Sequence, residues 1–201
     1  MSQFTLLALL PRSLIIPLCI FSSAVIGQDT SSVVSLPWFT PRSIHVQSAG
    51  GFGMFSLGTG WYPAKKTELK FSVGYTPPPY GNIWTTNVLI TYSFLKISLN
   101  SNLKFEPFKT GIFLNTSYGK NIHLVWPSHY PDNYYWWSSS LRVGPLLESE
   151  ITYESPKLGN DYSFFFQCLT NDLYIASYVV NTDFVSFGDI LILGFGIKYI
   201  F

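Results

Sequence analysis

The stretch Gly188-Asp-Ile-Leu-Ile-Leu-Gly-Phe-Gly-Ile-Lys-Tyr-Ile-Phe201 decides how the rest of the chain is read. Divided by the two-residue period of a β-strand, it has two unlike faces. Leu191, Leu193, Phe195, Ile197, Tyr199 and Phe201 fall on one face, all of them large and apolar. Ile190, Ile192, Gly194, Gly196, Lys198 and Ile200 fall on the other, which carries two glycines and a charge. An unbroken greasy face backed by small and polar residues suits a wall with lipid outside and a crowded interior inside.

Composition points the same way. Aromatic residues make up 18% of the chain and charged residues only 11%, against about 25% charged in an ordinary soluble domain. Beyond residue 27 no apolar run approaches the ~20 residues of a membrane helix. An aromatic-rich, charge-poor chain without such a helix fits a membrane barrel, whose lipid-facing side chains need no charge and whose strands satisfy one another's backbone groups.

Met1 to Gly27 reads as a secretory signal peptide, with one positive charge at Arg12 and an apolar run from Leu14 to Phe21. Val25 and Gly27 occupy the −3 and −1 positions a signal peptidase accepts, which puts cleavage before Gln28. Pro17 and the shortness of the run argue against an anchor helix. Cys19 follows Leu18 where lipoprotein cleavage wants a small residue. Residues 28–43, with Pro37 and Pro41, form an irregular periplasmic lead-in, and 44–201 form one barrel domain. From Gln28 onward 11 Lys+Arg face 11 Asp+Glu, and nothing suggests nucleic acid. Cys168 is the only cysteine left there, so no internal disulfide forms.

The two-residue period recurs upstream. Ile44–Gly50 alternates Ile44/Val46 against His45/Gln47, and Phe52–Tyr62 sets Phe55, Leu57, Thr59 and Trp61 against Ser56, Gly58 and Gly60. The glycines between them fit a tight hairpin or a bulge in one long strand; the hairpin makes the strand count even. Glu68–Thr76 sets Leu69, Phe71, Val73 and Tyr75 against Glu68, Lys70, Ser72 and Gly74. Ile83–Phe94 turns Trp84, Thr86, Val88, Ile90, Tyr92 and Phe94 outward, with aromatics near both ends. Leu103–Tyr118 follows, weakened by Pro107. Ser139–Tyr153 turns Leu141, Val143, Leu147, Ile151 and Tyr153 outward, with a bulge expected at Pro145. Tyr162–Val179 is read as a strand of muddled alternation, with Thr170-Asn-Asp172 inward in its middle. The turns 63–67, 95–102 and 155–160 are short, and the connections 77–82, 119–137 and 180–187 are longer, as expected of opposite barrel ends. The fold class is therefore all-β: a closed antiparallel eight-stranded transmembrane β-barrel. Such a lumen is filled by side chains. The inward charges Glu68, Lys70, Arg142, Glu148, Glu150, Asp172 and Lys198 are expected to pair as a plug, without an open channel.

In the aromatics Tyr199 and Phe201 on one face of the last strand, the sequence resembles small bacterial outer-membrane β-barrel proteins, whose closing strand ends in an aromatic residue with others at alternate positions. The resemblance implies a place in the bacterial outer membrane, surroundings of outer-membrane lipid including lipopolysaccharide, and recognition of Tyr199 and Phe201 by the barrel-insertion machinery. The expected function is structural or binding, with a filled lumen and an aromatic extracellular loop.

The alternative is a lipid-modifying barrel enzyme. Lipid A deacylases are similar in length and architecture and carry His-x-Ser with a carboxylate partner. Here the three histidines are followed at +2 by Gln47, Val125 and Pro131, and His45 and Ser48 fall on opposite faces. Ser128-His129-Tyr-Pro-Asp132 offers the residue types of a palmitoyl-transferring barrel, but closeness in sequence does not make a base held by an orienting carboxylate. Omptin-like proteases need a larger barrel. No catalytic residue, metal site or cofactor is assigned. Trp126, His129, Tyr134 and Tyr135, on the proline-stiffened loop 119–137, are the candidate binding residues for an unidentified extracellular ligand. The plainer reading of the same loop is an interfacial girdle and cap.

Overall fold

The computed structural model describes residues 39–120, 122–123, 138–156 and 159–201. The expected signal peptide and all but the last residues of the lead-in lie outside them. Among the described residues nine strands and one α-helix follow in order: β1 (Ser43–Ala49), β2 (Phe55–Ala64), β3 (Thr67–Thr76), β4 (Ile83–Ser93), β5 (Ile97–Ser98), β6 (Leu103–Tyr118), β7 (Leu141–Glu154), β8 (Asp161–Leu169), α1 (Asp172–Val180) and β9 (Ile192–Ile200). Every pairing is antiparallel. β1 pairs with both β2 and β9, and β4 pairs directly with β6 from Trp84↔Tyr118 to Ser93↔Lys109, so the sheet closes on itself. β5 adds only two residues against β6 and lies outside the circuit. The wall is a closed eight-stranded barrel.

The register follows from the alternation in the sequence, because a shift of one residue would exchange the two faces of a strand. On β9, Gly194, Gly196 and Lys198 are buried while Leu193, Phe195 and Ile197 are 54%, 52% and 63% exposed. β1 to β4 divide as the sequence indicates, Glu68, Lys70 and Ser72 inward and Trp84, Val88, Ile90 and Tyr92 outward among them. The hairpin reading of residues 44–62 holds: Ser48 pairs with Phe55, and Ala49, Gly50, Gly51 and Gly53 carry the positive φ angles of the turn. The turn brings Phe52 back into the barrel mouth, where its ring meets Phe113 edge-on at 5.3 Å. Gly74 permits this, since a Cβ there would stand 1.7 Å from the Phe52 carbonyl oxygen. Phe52, Leu89, Phe113, Leu146 and Leu169, with Ile192 against them, form an apolar cluster in the half of the lumen near the long connections.

Three expectations are corrected. The strand expected over 162–179 ends at Leu169. Asn171 then caps α1, its side chain accepting from the Tyr174 N–H at 3.0 Å, and the muddled alternation was the start of a helix. The bulge expected at Pro145 is absent, and inward–outward alternation runs unbroken through β7. Pro145 is tolerated because its ring nitrogen faces β8 where that ladder has ended: Leu146↔Leu169 is the last pair, and only the Thr170 N–H reaches the Pro145 carbonyl. The irregularity lies instead between Glu106 and Lys109, which pair with Glu150 and Glu148, so β6 carries one extra residue at Pro107–Phe108. The last strand begins at Ile192, after a short 3-10 turn over Phe187–Ile190.

Candidate functional site

Six charged side chains from four strands form one network in the lumen near the short turns. Glu68 and Lys70 come from β3, Lys109 from β6, Glu148 and Glu150 from β7, and Lys198 from β9. All are buried. Lys70 Nζ lies 2.6 Å from Glu148; Lys109 reaches Glu68 at 2.6 Å, Glu148 at 2.9 Å and also Glu150; Lys198 reaches Glu68 at 2.6 Å and Glu150 at 2.8 Å. Three ammonium groups thus meet three carboxylates with no net charge, the condition under which buried ions are tolerated. Neutral donors complete the shell. Gln167 Nε2 donates to Glu148 at 2.6 Å and its Oε1 accepts from Gln47 at 2.8 Å, while the Tyr62 hydroxyl donates to Glu68 at 3.2 Å. Phe165 supplies an aromatic face to Lys70, 4.6 Å from Nζ to ring centre. Space for that ring exists because Gly196 stands opposite: a Cβ there would lie 2.4 Å from the Phe165 ring.

Of the seven inward charges expected, five belong to this network and two do not. Arg142 sits at the mouth with the long connections, donating to the Ser138 and Leu141 carbonyls at 2.7 and 2.6 Å. Asp172 stands beside it at 3.8 Å, at the start of α1, and accepts from the Val143 N–H at the edge of β7. Lys109, the most connected cation, was not among the expected set, although it shares the period of Gly111 and Asn115 on β6. Gln167 was hidden within the overlong strand.

Glu68, Glu148 and Glu150 offer carboxylate oxygens within 4.8 Å of one another, a spacing open to a metal ion. The lysines already occupy those oxygens, so a cation could enter only by displacing equal charge. The trio fits ammonium pairing. At the turn end a cavity of about 290 Å³ is lined by Tyr62, Lys66, Ser93, Glu106, Thr152 and Glu154 among others, and its floor is Glu68, Lys109 and Glu150. Lys96–Glu106 at 2.9 Å and Lys104–Glu154 rim it.

Nucleophile chemistry finds little support among the described residues. His45 points into the lumen against Phe165, its Nδ1 without a hydrogen-bond partner, while Ser48 donates to the Met54 carbonyl on the other face. The hydroxyls of Ser138 and Ser139 donate to the His123 backbone carbonyl, and that of Ser140 to Ser117. Such hydroxyls secure a loop base. Trp126, His129, Tyr134 and Tyr135 lie outside the described residues. Comparison with protein-family models, curated proteins and solved structures finds no match.

Proposed function

We propose that the protein is a small integral β-barrel of a bacterial outer membrane, with a plugged lumen and a structural or binding role. The observation that carries this reading is the inversion of the fold. Lys70, Glu148 and Lys198 are buried, while the outer wall presents Leu57, Ile112, Phe164, Phe195 and Ile197, each more than half exposed. A water-soluble barrel would reverse that arrangement.

The outer aromatics support it. Tyr75 and Trp84 stack at 4.6 Å near one end, while Tyr92 with Phe94 and Tyr162 with Tyr199 pair at 5.2 and 5.3 Å near the other. Ten strand steps of about 3.4 Å, tilted by roughly 40°, separate Trp84 from Phe94 by about 26 Å along the axis, the height of an outer-membrane apolar band. In this reading the short turns face the periplasm and the longer connections face outward. Lipopolysaccharide and phospholipid are the surroundings, and the barrel-insertion machinery reads Tyr199 and Phe201. Trp126, His129, Tyr134 and Tyr135 are the proposed contacts for an extracellular ligand; replacing them with alanine is expected to abolish ligand binding without affecting insertion.

The test is fractionation of the producing cells. The protein is expected in outer membranes as a species whose electrophoretic mobility changes on boiling. Recovery as a soluble periplasmic or cytoplasmic protein would overturn the proposal. The second reading, a lipid-modifying enzyme, predicts a gain or loss of one acyl chain in the lipid A mass spectrum when the protein is present.

A further inference from the structure

We infer that α1, with Phe184 and Phe187 after it, is embedded in the acyl–headgroup boundary of the membrane and extends the barrel's lipid-contacting surface on the β7–β8 side. The inference rests on the membrane reading above and names a contact that the strand pattern does not contain.

The first observation is that α1 is left largely uncovered among the described residues. None of its residues is buried, and Val179, Val180, Phe184 and Phe187 are 68%, 79%, 90% and 62% exposed. From Leu173 to Phe187 the only charged residue is Asp183. A helix with so little polar surface belongs in a core or in lipid, and among the described residues no core surrounds it.

The second concerns helix stability. Nine residues fall short of the ~12–15 that hold a helix in water even in favourable sequences, and Ile175, Val179 and Val180 are β-branched, which lowers helix propensity further. Asn171 and Asn181 cap the two ends. Caps of about 1 kcal/mol each do not hold such a sequence helical in water. Lipid supplies the missing term, because unpaired backbone groups are costly there and exposed apolar side chains are not.

The third observation is position, and it selects lipid over another protein. β8 stops at Leu169 opposite Leu146, whereas β7 continues to Leu141. The edge of β7 left without a strand is met by the first turn of α1, where Asp172 accepts from the Val143 N–H at 3.1 Å. The helix therefore begins within the wall, beside outward Val143, and not on a stalk above it. Tyr178 and Phe187 approach at 6.4 Å, edge to face, which draws the following loop onto the helix as one patch. Leu147 and Leu193, both paired with Cys168 one step from the end of β8, are exposed on the outer wall there. The patch continues the apolar wall, and what covers the wall covers the patch.

The experiment uses the full chain with Cys19 and Cys168 replaced by serine. Single cysteines at Val179, Val180, Ile197 or Lys65 carry a nitroxide, in phosphatidylcholine vesicles. Collisions with dissolved oxygen and with a water-soluble nickel chelate report depth. Labels in V179C and V180C are expected to show an oxygen-to-nickel ratio several-fold above the K65C label and on the side of the I197C label. Lipid exposure at I197C with water exposure at both helix positions would overturn the inference and leave the barrel reading intact. Water exposure at I197C would overturn the membrane reading itself. Dipolar broadening at V179C that disappears on dilution with unlabelled protein would show a second copy as the cover, and would overturn lipid contact.

Discussion

Lys70 of β3 and Glu148 of β7 meet at 2.6 Å across the barrel, joining walls that share no hydrogen-bonded edge. Two strands, β4 and β6, separate them along the shorter circuit, so the pair braces the lumen.

Glu148→Leu alone leaves Lys70 buried without its nearest carboxylate, and is expected to lower stability by about 3–5 kcal/mol. Combining it with Lys70→Met removes both ions and is expected to recover much of the loss. Urea titration of the heat-modifiable band gives both midpoints; equal destabilisation by the single and double changes would show that the pair does not act as a unit.

The lumen is expected to carry no steady current. Lys109 stands among three carboxylates directly above the cavity at the turn end, and Phe52 and Phe113 fill the other half. Planar-bilayer recordings of the purified protein should stay at baseline. A stable porin-like conductance would mean that the ion network opens in a membrane.

Phe52→Ala removes the ring that the β1–β2 turn places in the mouth. Deleting a buried phenylalanine side chain costs about 3–5 kcal/mol, with the spread set by how far the cavity collapses. The denaturation midpoint should fall accordingly. A change within error would mean that Phe52 rests at the mouth without packing there.

Topology is open to a labelling test. With both native cysteines replaced by serine, a cysteine at Tyr80, in the loop between β3 and β4, is expected to react with a membrane-impermeant maleimide on intact cells. One at Lys65, in the β2–β3 turn, should react only after lysis. The opposite pattern would invert the barrel and turn the proposed recognition loop toward the periplasm.

What the sequence made legible was whatever repeats with a period of two. β4 and β9 could be assigned residue by residue because each has one continuous apolar face, and five of the central charges followed from parity alone. Two failures have different causes. Ile175, Val179 and Val180 are residues of high β-propensity that here form a helix, so their chemistry argued for a strand, and the signal at its start was Asn171 as a cap. Pro145 and Pro107 look alike in sequence. Only the pairing of neighbouring strands distinguishes a proline facing an ended ladder from one beside a bulge. Arg142 has the parity of Glu148 but stands too near the mouth to reach it.

The central charges are divided unevenly among the strands that bear them. β3 contributes one of each sign, β7 two negatives, and β6 and β9 one positive apiece. A partly assembled wall of β6 and β7 therefore holds an uncompensated carboxylate, and a nonpolar medium penalises that species heavily. Neutrality is reached only when Lys198 arrives with the last strand. The six side chains that close the lumen are thus neutral only as a complete set, and the last strand supplies the charge that completes it.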